Sequence, residues 1–353
     1  MHSFAPSFLE TQSPTPQLVT TIRALGEHKG KEQLFARQSP QVLDILRRAA
    51  VIESTRSSNR IEGIVASDER VEALVEGASA PRNRPEQEIA GYREVLATIH
   101  ASHDAMPFTP NVVLQLHRDL YRFMPREGGR FKPVDNQITE TRPDGAQVVR
   151  FHPVPAADTP RAMDELHRRF RLRHEEGVIE PLLLIASYVL DFLCIHPFLD
   201  GNGRMARLLT LLLLYQEGYG VGRYISLERI VESQRDGYYD SLFESSQGWH
   251  QGRHTLLPWW EYFLGVVLLT AYRELEGWAG RSTSGHGAKS DLVERTVEHL
   301  SHRFRLADIM RACPGVSRPT VNRVLQRLRQ EGRIKLVKSG RAATWEKRDG
   351  AFR

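Results

Sequence analysis

The sequence predicts a mainly α-helical fold, with one β-hairpin set among the helices and a compact second unit at the C-terminal end. Three observations carry that prediction. Apolar residues recur at three- and four-residue intervals, as in Val42, Leu43, Ile45, Leu46 and Ala49. Before residue 330 only the stretch around 136–151 has convincing strand character. No βαβ alternation occurs, which argues against a doubly wound nucleotide-binding sheet.

Taken in order, residues 1–20 are rich in Pro, Ser and Thr and read as a loosely held arm. Helical spacing runs from Pro40 to Ala78, and two prolines in Ser79–Glu86 mark a connection. Helices follow at Ile89–His103 and Thr109–Tyr121, where Pro110 sits at a tolerated early position. Two short extended pieces, Asn136–Thr139 and Gln147–Phe151, flank Arg142-Pro143-Asp144-Gly145, and Asp-Gly between β-prone runs signals a hairpin. Helical patterns resume at Thr159–Glu176, Pro181–Ile195, Arg204–Glu217, Ser226–Gln234, Gly237–Ser245 and Leu257–Trp278. The expected organisation is an N-terminal helical region (1–100), a helical core (101–279), a Gly/Ser linker (280–287) and a C-terminal unit (288–353).

Composition narrows the class. The chain has 353 residues, 41% apolar and 26% charged, close to globular averages, which excludes a disordered chain, a collagen and a coiled-coil rod. Two cysteines cannot build a disulfide framework, so a reducing, cytoplasmic setting is expected. The start, MHSFAPSFLETQ, lacks the charged and apolar regions of a signal peptide. The longest apolar stretch, Pro181–Leu199, holds Asp191 and His196 and is too broken to span a bilayer, so no membrane partner is expected.

The most informative segment is His196-Pro-Phe-Leu-Asp-Gly-Asn-Gly-Arg-Met-Ala-Arg207. An apolar helix must stop before Pro197, and another opens after the turn. Gly201 and Gly203 free the backbone between them, and a glycine-rich turn opening a helix presents unpaired N–H groups to anions. Arg204 and Arg207 lie three apart on one helix face and suit phosphates. Asp200 is a carboxylate suited to Mg²⁺, which binds through one or two carboxylates plus substrate phosphates. His196 can accept a proton near neutral pH. Together these describe a nucleotidyl or phosphoryl transfer site. Gly201-Asn-Gly-Arg-Met-Ala206 also fits a dinucleotide fingerprint, but a helix rather than a strand precedes it.

These twelve residues resemble the signature of the Fic family at every defined position, and the flanking helices and hairpin extend the resemblance over roughly 40–275. The resemblance implies an AMP transferase that moves AMP from ATP to a Tyr, Thr or Ser hydroxyl of a target protein, itself included, and releases pyrophosphate. It implies His196 as general base, Asp200 as Mg²⁺ ligand and Gly201, Asn202 and Gly203 as the anion hole on the α- and β-phosphates. Arg204 then resembles the β-phosphate contact and Arg207 the γ-phosphate clamp. The hairpin at 131–151 resembles the family's flap, with Ile138 and Thr139 on the edge that docks the target. Tyr238 and Tyr239 fall where the family often lines its adenine pocket.

Upstream, Ser58-Asn-Arg-Ile-Glu62-Gly63 ends a helical segment; Ser58 and Glu62 share a face and Gly63 suits a helix end. This resembles the family's inhibitory motif, placed before the core. The resemblance implies that Glu62 occupies Arg207, so that ATP binds unproductively. In some relatives the same glutamate supports removal of AMP, and the sequence leaves that reading open, as it does another phosphate donor.

Residues 288–350 read as helices Asp291–Ser301, Leu306–Arg311 and Thr320–Glu331, with Ser317 as N-cap and Gly332 as terminator, then a small hairpin over Arg333–Trp345. This resembles a winged helix-turn-helix domain. Its third helix would offer Arg318, Asn322, Arg323, Arg327 and Arg329 to DNA, although winged helices also bind protein or form homodimers. A nucleotide-sensing DNA-binding regulator is therefore a further reading; the intact His196 and Asp200 argue against it. Net charge divides unevenly: 285–353 hold 16 Lys+Arg against 7 Asp+Glu, while 1–284 are net −4. Any nucleic-acid argument belongs to the C-terminal unit.

Overall fold

The computed structural model describes residues 2–5, 7–38, 40–141, 147–280, 288–300, 302–313, 316–340 and 343–348. The expected Asp144-Gly145 turn and the linker residues 281–287 lie outside the described residues. The chain opens with α1 (Phe8–Thr11), α2 (Pro16–Gln38), α3 (Pro40–Ile61), α4 (Asp68–Val75), α5 (Arg84–Ser102) and α6 (Pro110–Leu120). The hairpin strands β1 (Ile138–Thr141) and β2 (Gln147–Phe151) pair antiparallel, Thr139 opposite Val149. Then come α7 (Thr159–Glu176), α8 (Pro181–Ile195), α9 (Asn202–Gln216), α10 (Leu227–Ser233) and α11 (Arg235–Ser246). The last long helix is α12 (Leu257–Trp260) and α13 (Leu269–Gly280) joined by a π-helical stretch, Glu261–Leu268.

Local chemistry sets the helix starts. Asn83, Thr109 and Ser226 each accept an N–H from the first turn of the helix they precede, and proline occupies an early position in α5, α6, α7 and α8. α8 and α9 carry almost no polar face and are buried nearly all round, so they form the centre of the body.

Several expectations are corrected. Residues 1–20 are not a loose arm: Phe4, Leu9 and Leu18 are buried, and Phe4 meets Phe170 edge-on. α2 escapes the apolar pattern because it is predominantly polar; Leu18 and Leu25 lie seven apart and are fully buried. The helical stretch 40–78 is two helices. α3 ends where Gly63 takes φ 76°, with Gly63 N–H bonding Arg60 O and Ile64 N–H bonding Asn59 O, the paired closure that a left-handed residue permits. The connection is shorter than Ser79–Glu86, because Asn83 caps Glu86 and starts α5 at Arg84. β1 starts at Ile138 rather than Asn136, whose side chain is drawn to the turn at 196–198 instead. α9 begins at Asn202, two residues before Arg204.

The C-terminal unit runs α14 (Ala288–His299), β3 (Arg303–Arg305), α15 (Leu306–Ala312), α16 (Arg318–Gln330), β4 (Ile334–Lys338) and β5 (Thr344–Lys347). Its sheet has the order β3-β5-β4. β3 is a strand the sequence hides, since only Phe304 of its three residues is buried. The unit has its own apolar cluster, including Val293, Phe304, Val321, Leu325 and Trp345, and Ile45 of α3 packs against it. His302 N–H donates to Glu72 Oε1 of α4 at 2.7 Å. α3 therefore touches both clusters. Among the described residues no helix is long and apolar enough to cross a membrane.

Candidate active site

α8 ends at His196, which takes the left-handed conformation (φ 51°) that an L-residue other than glycine adopts at a cost. Three neighbours hold the strained turn. Lys132 donates its N–H to Pro197 O and its Nζ to Ile195 O, at 2.8 and 3.1 Å. Asn136 Nδ2 donates to Phe198 O at 3.0 Å. Asn202 closes the loop on itself: its Oδ1 accepts Phe198 N–H and its Nδ2 donates to Phe198 O. The Asn202 side chain is thus tied to the turn at both ends of its amide, which leaves its backbone N–H to meet an anion.

The His196 ring is fixed by Nδ1, 3.2 Å from Leu193 O. A carbonyl only accepts, so Nδ1 carries the proton and Nε2 has the lone pair. Burial pushes the imidazole pKa down to about 4, and His196 is neutral at pH 7. Burial likewise lowers the Lys132 ammonium to about 8.

Beneath the turn His117 stacks on Phe198 with ring centroids 3.7 Å apart. Gly129 N–H donates to its Nδ1 at 2.8 Å, so Nε2 is the protonated nitrogen and donates to Asp200 O at 3.1 Å. Asp200 Oδ1 accepts Gly201 N–H at 2.7 Å, and its side chain is 47% exposed. Gly201 has φ 83° and leads into α9, whose first N–H groups have no helical partner.

The two arginines of α9 are buried, at 1% and 7% exposure for Arg204 and Arg207. Arg207 Nε donates to Ser58 Oγ at 2.8 Å, and its Nη2 donates to Ser58 O and to Glu62 Oε1 at 2.9 and 2.8 Å. The structure therefore brings Ser58 and Glu62 from the end of α3 onto Arg207. Glu62 also lies over the start of α9: a Cβ on Gly203 would stand 2.2 Å from Glu62 Oε1. Only glycine at 203 lets a carboxylate approach that closely. Arg207 Nη1 and Arg204 Nε have no hydrogen-bond partner among the described residues. Buried guanidinium donors left without partners suit a polyanion such as a nucleotide phosphate chain.

Tyr238 is buried and Tyr239 is 40% exposed on α11, both close enough for Glu62 and Arg207 to act on their phenols. Arg235 of the same helix lies over the Tyr239 ring and donates to Ile61 O at 3.1 Å. Arg207 also lines a cavity of about 30 Å³ with Glu228, Tyr238, Trp259 and Tyr262. Ile138 and Thr139 sit on β1, whose described pairing is to β2 alone, with Thr139 exposed. Residues 132 and 154 tie the hairpin to the end of α8 through Pro197 O and Cys194 O.

Sequence reasoning missed Arg84 and Glu88 of α5, which reach the site beside Asp200 and Arg204. It also missed His117 and Lys132. The Arg/Glu pair four apart resembles any surface helix pair, so no local signal marks it. No group of three or more metal-ligating side chains occurs among the described residues. A Mg²⁺ held by Asp200 and nucleotide phosphates needs no such cage, and the exposed Asp200 carboxylate beside a helix N-terminus fits that mode.

Comparison with known proteins bears on the fold and on the family of the central helices. Residues 107–214 match the Fic/DOC family. The chain is 24% identical over 208 residues to the protein adenylyltransferase Fic of Nematostella vectensis, covering 57% of this chain and 44% of that protein. It is 26% identical over 259 residues to the Drosophila ananassae protein of the same name, covering 70% and 48%. The chain thus spans about half the length of the curated relatives it matches. A Fic family protein from Desulfovibrio desulfuricans shares the fold at TM-score 0.61 and 23% identity, covering 96% of this chain and 97% of that one. Caenorhabditis elegans Fic-1 superposes at TM-score 0.56 and 20% identity, over 74% of this chain and 72% of that one. The chain carries a Fic-type domain and is a distant relative of proteins named protein adenylyltransferase.

Proposed function

We propose that the chain is an ATP- and Mg²⁺-dependent protein adenylyltransferase held back by its own Glu62. The carrying observation is the Glu62 carboxylate, 2.8 Å from Arg207 and against Gly203, in the place an anionic phosphate would take. In the reaction His196 Nε2 takes the proton of a target hydroxyl, whose oxygen attacks the α-phosphorus of ATP. The α–β bridging bond breaks, pyrophosphate leaves, and the target carries AMP. The backbone N–H groups of Asn202 and Gly203 and the Arg204 guanidinium face the α- and β-phosphates, and the Gly201 N–H, which the Asp200 carboxylate holds, joins them when Asp200 turns to the metal. Arg207 clamps the γ-phosphate and so sets the α-phosphorus in line with the attacking oxygen. Mg²⁺ on Asp200, when bound, neutralises charge on the α- and β-phosphates. Tyr239 borders the adenine, and the free edge of β1 at Ile138 and Thr139 takes the target segment as an added strand.

Glu62→Gly frees Arg207 of its carboxylate. The expected result is AMP added to the protein itself by intact mass after incubation with ATP and Mg²⁺, and no addition in Glu62→Gly/His196→Ala. Unchanged mass in Glu62→Gly would remove the inhibitory role. Label reaching protein from γ- but not α-labelled ATP would make the site a phosphoryl transferase. Loss of AMP from premodified protein would assign it AMP removal.

A second role is favoured by α16. Arg318, Arg323 and Arg329 are exposed there and make no ion pair among the described residues, whereas Arg327 is tied to Glu294. This supports reading the C-terminal unit as a winged helix that meets duplex DNA through phosphate contacts.

A further inference from the structure

A charged ring includes the Asp200 carboxylate. Arg204 Nη1 stands 2.9 Å from Glu88 Oε2, and Arg84 Nε donates to Glu88 Oε1 at 3.0 Å. Arg84 Nη2 and Arg204 Nη2 stop 4.0 and 3.9 Å from the two Asp200 oxygens. Acid and base alternate around the ring: Asp200, Arg204, Glu88, Arg84.

Distance separates its two halves. Asp200 lies two residues before α9 and Arg204 in its first turn, so the two side chains are neighbours, 3.9 Å apart. Arg204 instead lies a full ångström nearer to Glu88, which is 5% exposed and comes from a different helix. An Arg204–Asp200 pair would neutralise the carboxylate that the metal needs and would turn the guanidinium from the phosphates. The Arg204–Glu88 contact lies off the hydrogen-bond axis, and Nη1 and Nε of Arg204 make no hydrogen bond among the described residues.

We infer that Glu88 is a positioning residue: by holding Arg204, it keeps Asp200 free for the divalent cation and Arg204 aimed at the nucleotide. This rests on the adenylyltransferase reading for the identity of the ligands, while its test reads binding alone. Arg84, 70% exposed at the mouth, has the opposite influence, because its cation faces Asp200 and competes with the metal.

The experiment measures ATP binding by calorimetry across a Mg²⁺ series in the full chain carrying Glu62→Gly and His196→Ala, which removes the Glu62 carboxylate and turnover. Adding Glu88→Gln is expected to raise the Mg²⁺ concentration for half-maximal enhancement of ATP affinity by about two- to fivefold, as an ion pair with Arg204 takes over Asp200. Adding Arg84→Gln is expected to lower that concentration. With Asp200→Asn present, Glu88→Gln should change nothing further. An unchanged Mg²⁺ dependence in folded Glu88→Gln overturns the inference. So does an equal effect of Glu88→Gln with and without Asp200→Asn, which marks a merely structural role. If Glu88→Gln does not fold, Glu88→Asp replaces it, and an unaltered Mg²⁺ dependence there overturns the inference in the same way. Absence of AMP transfer in Glu62→Gly would defeat the reaction assigned above without touching these binding results.

Discussion

α9 and α16 both carry arginines suited to phosphate, and the fold treats them in opposite ways. Arg204 and Arg207 are buried, and carboxylates from α3 and α5 stand against them. Arg318, Arg323 and Arg329 face solvent without ion pairs among the described residues. A buried guanidinium must be compensated, since leaving it uncompensated costs several kcal/mol. Whatever replaces Glu62 must therefore be anionic and shaped to the turn. An exposed guanidinium is already hydrated, and a polyanion gains mainly by releasing counterions. The buried pair selects one ligand geometry, while the exposed set reads charge.

That contrast is broken most severely at the base. In the Glu62→Gly background, His196→Ala is expected to lower AMP transfer by about 100- to 10,000-fold, with the helical far-UV circular dichroism retained. Transfer of α-label to protein checks it. Arg207→Ala comes next, with an expected loss of about 100-fold in kcat/KM for ATP, because the α-phosphorus is no longer held in line. Steady-state kinetics at fixed Mg²⁺ measures it.

Acid sharpens the comparison between inside and outside. Burial lowers His117, His167 and His254 to about 4, against 6.5 for an exposed imidazole. The unfolded chain takes up these protons near pH 6.5 and the folded chain only near pH 4, so their stabilising effect is complete above 6.5 and fades as pH falls. At pH 5 each should cost about 2 kcal/mol relative to pH 7. Urea denaturation at the two pH values tests that. The smallest effect on catalysis belongs to α16. Arg318→Ala/Arg323→Ala/Arg329→Ala should leave AMP transfer as it was while flattening the log–log salt slope of duplex binding by about 3. A gel-shift salt series reads that slope, and a slope no flatter than that of the unsubstituted protein would place the contacts elsewhere.

The turn was legible because its residues are contiguous: an imidazole, a carboxylate, two glycines and two arginines fall within twelve residues. Ser58 and Glu62 were legible as a short motif, although their partner Arg207 lies 149 and 145 residues away. Glu88 was not, because a glutamate on α5 looks the same whether it faces water or Arg204, and the difference is made by how α5 packs on α9. His117 was hidden for a similar reason: its role depends on stacking under Phe198, a contact between distant segments. The arm at 1–20 misled because a few buried side chains outweigh a composition rich in Pro, Ser and Thr.

The buried polar face of α3 sets an order of events during synthesis. Ser54 finds its partner in Ser226 and Ser58 in Arg207, 172 and 149 residues further along, while Ile45 finds its apolar neighbours beyond residue 290. At a translation rate of about 5–20 residues per second, the polar face of α3 waits roughly 7–30 s before α9 exists to meet it. α4 and α5 pack on α3 as soon as they emerge, so only its polar face stays unmatched, and the Ser58–Arg207 contact forms when that wait ends.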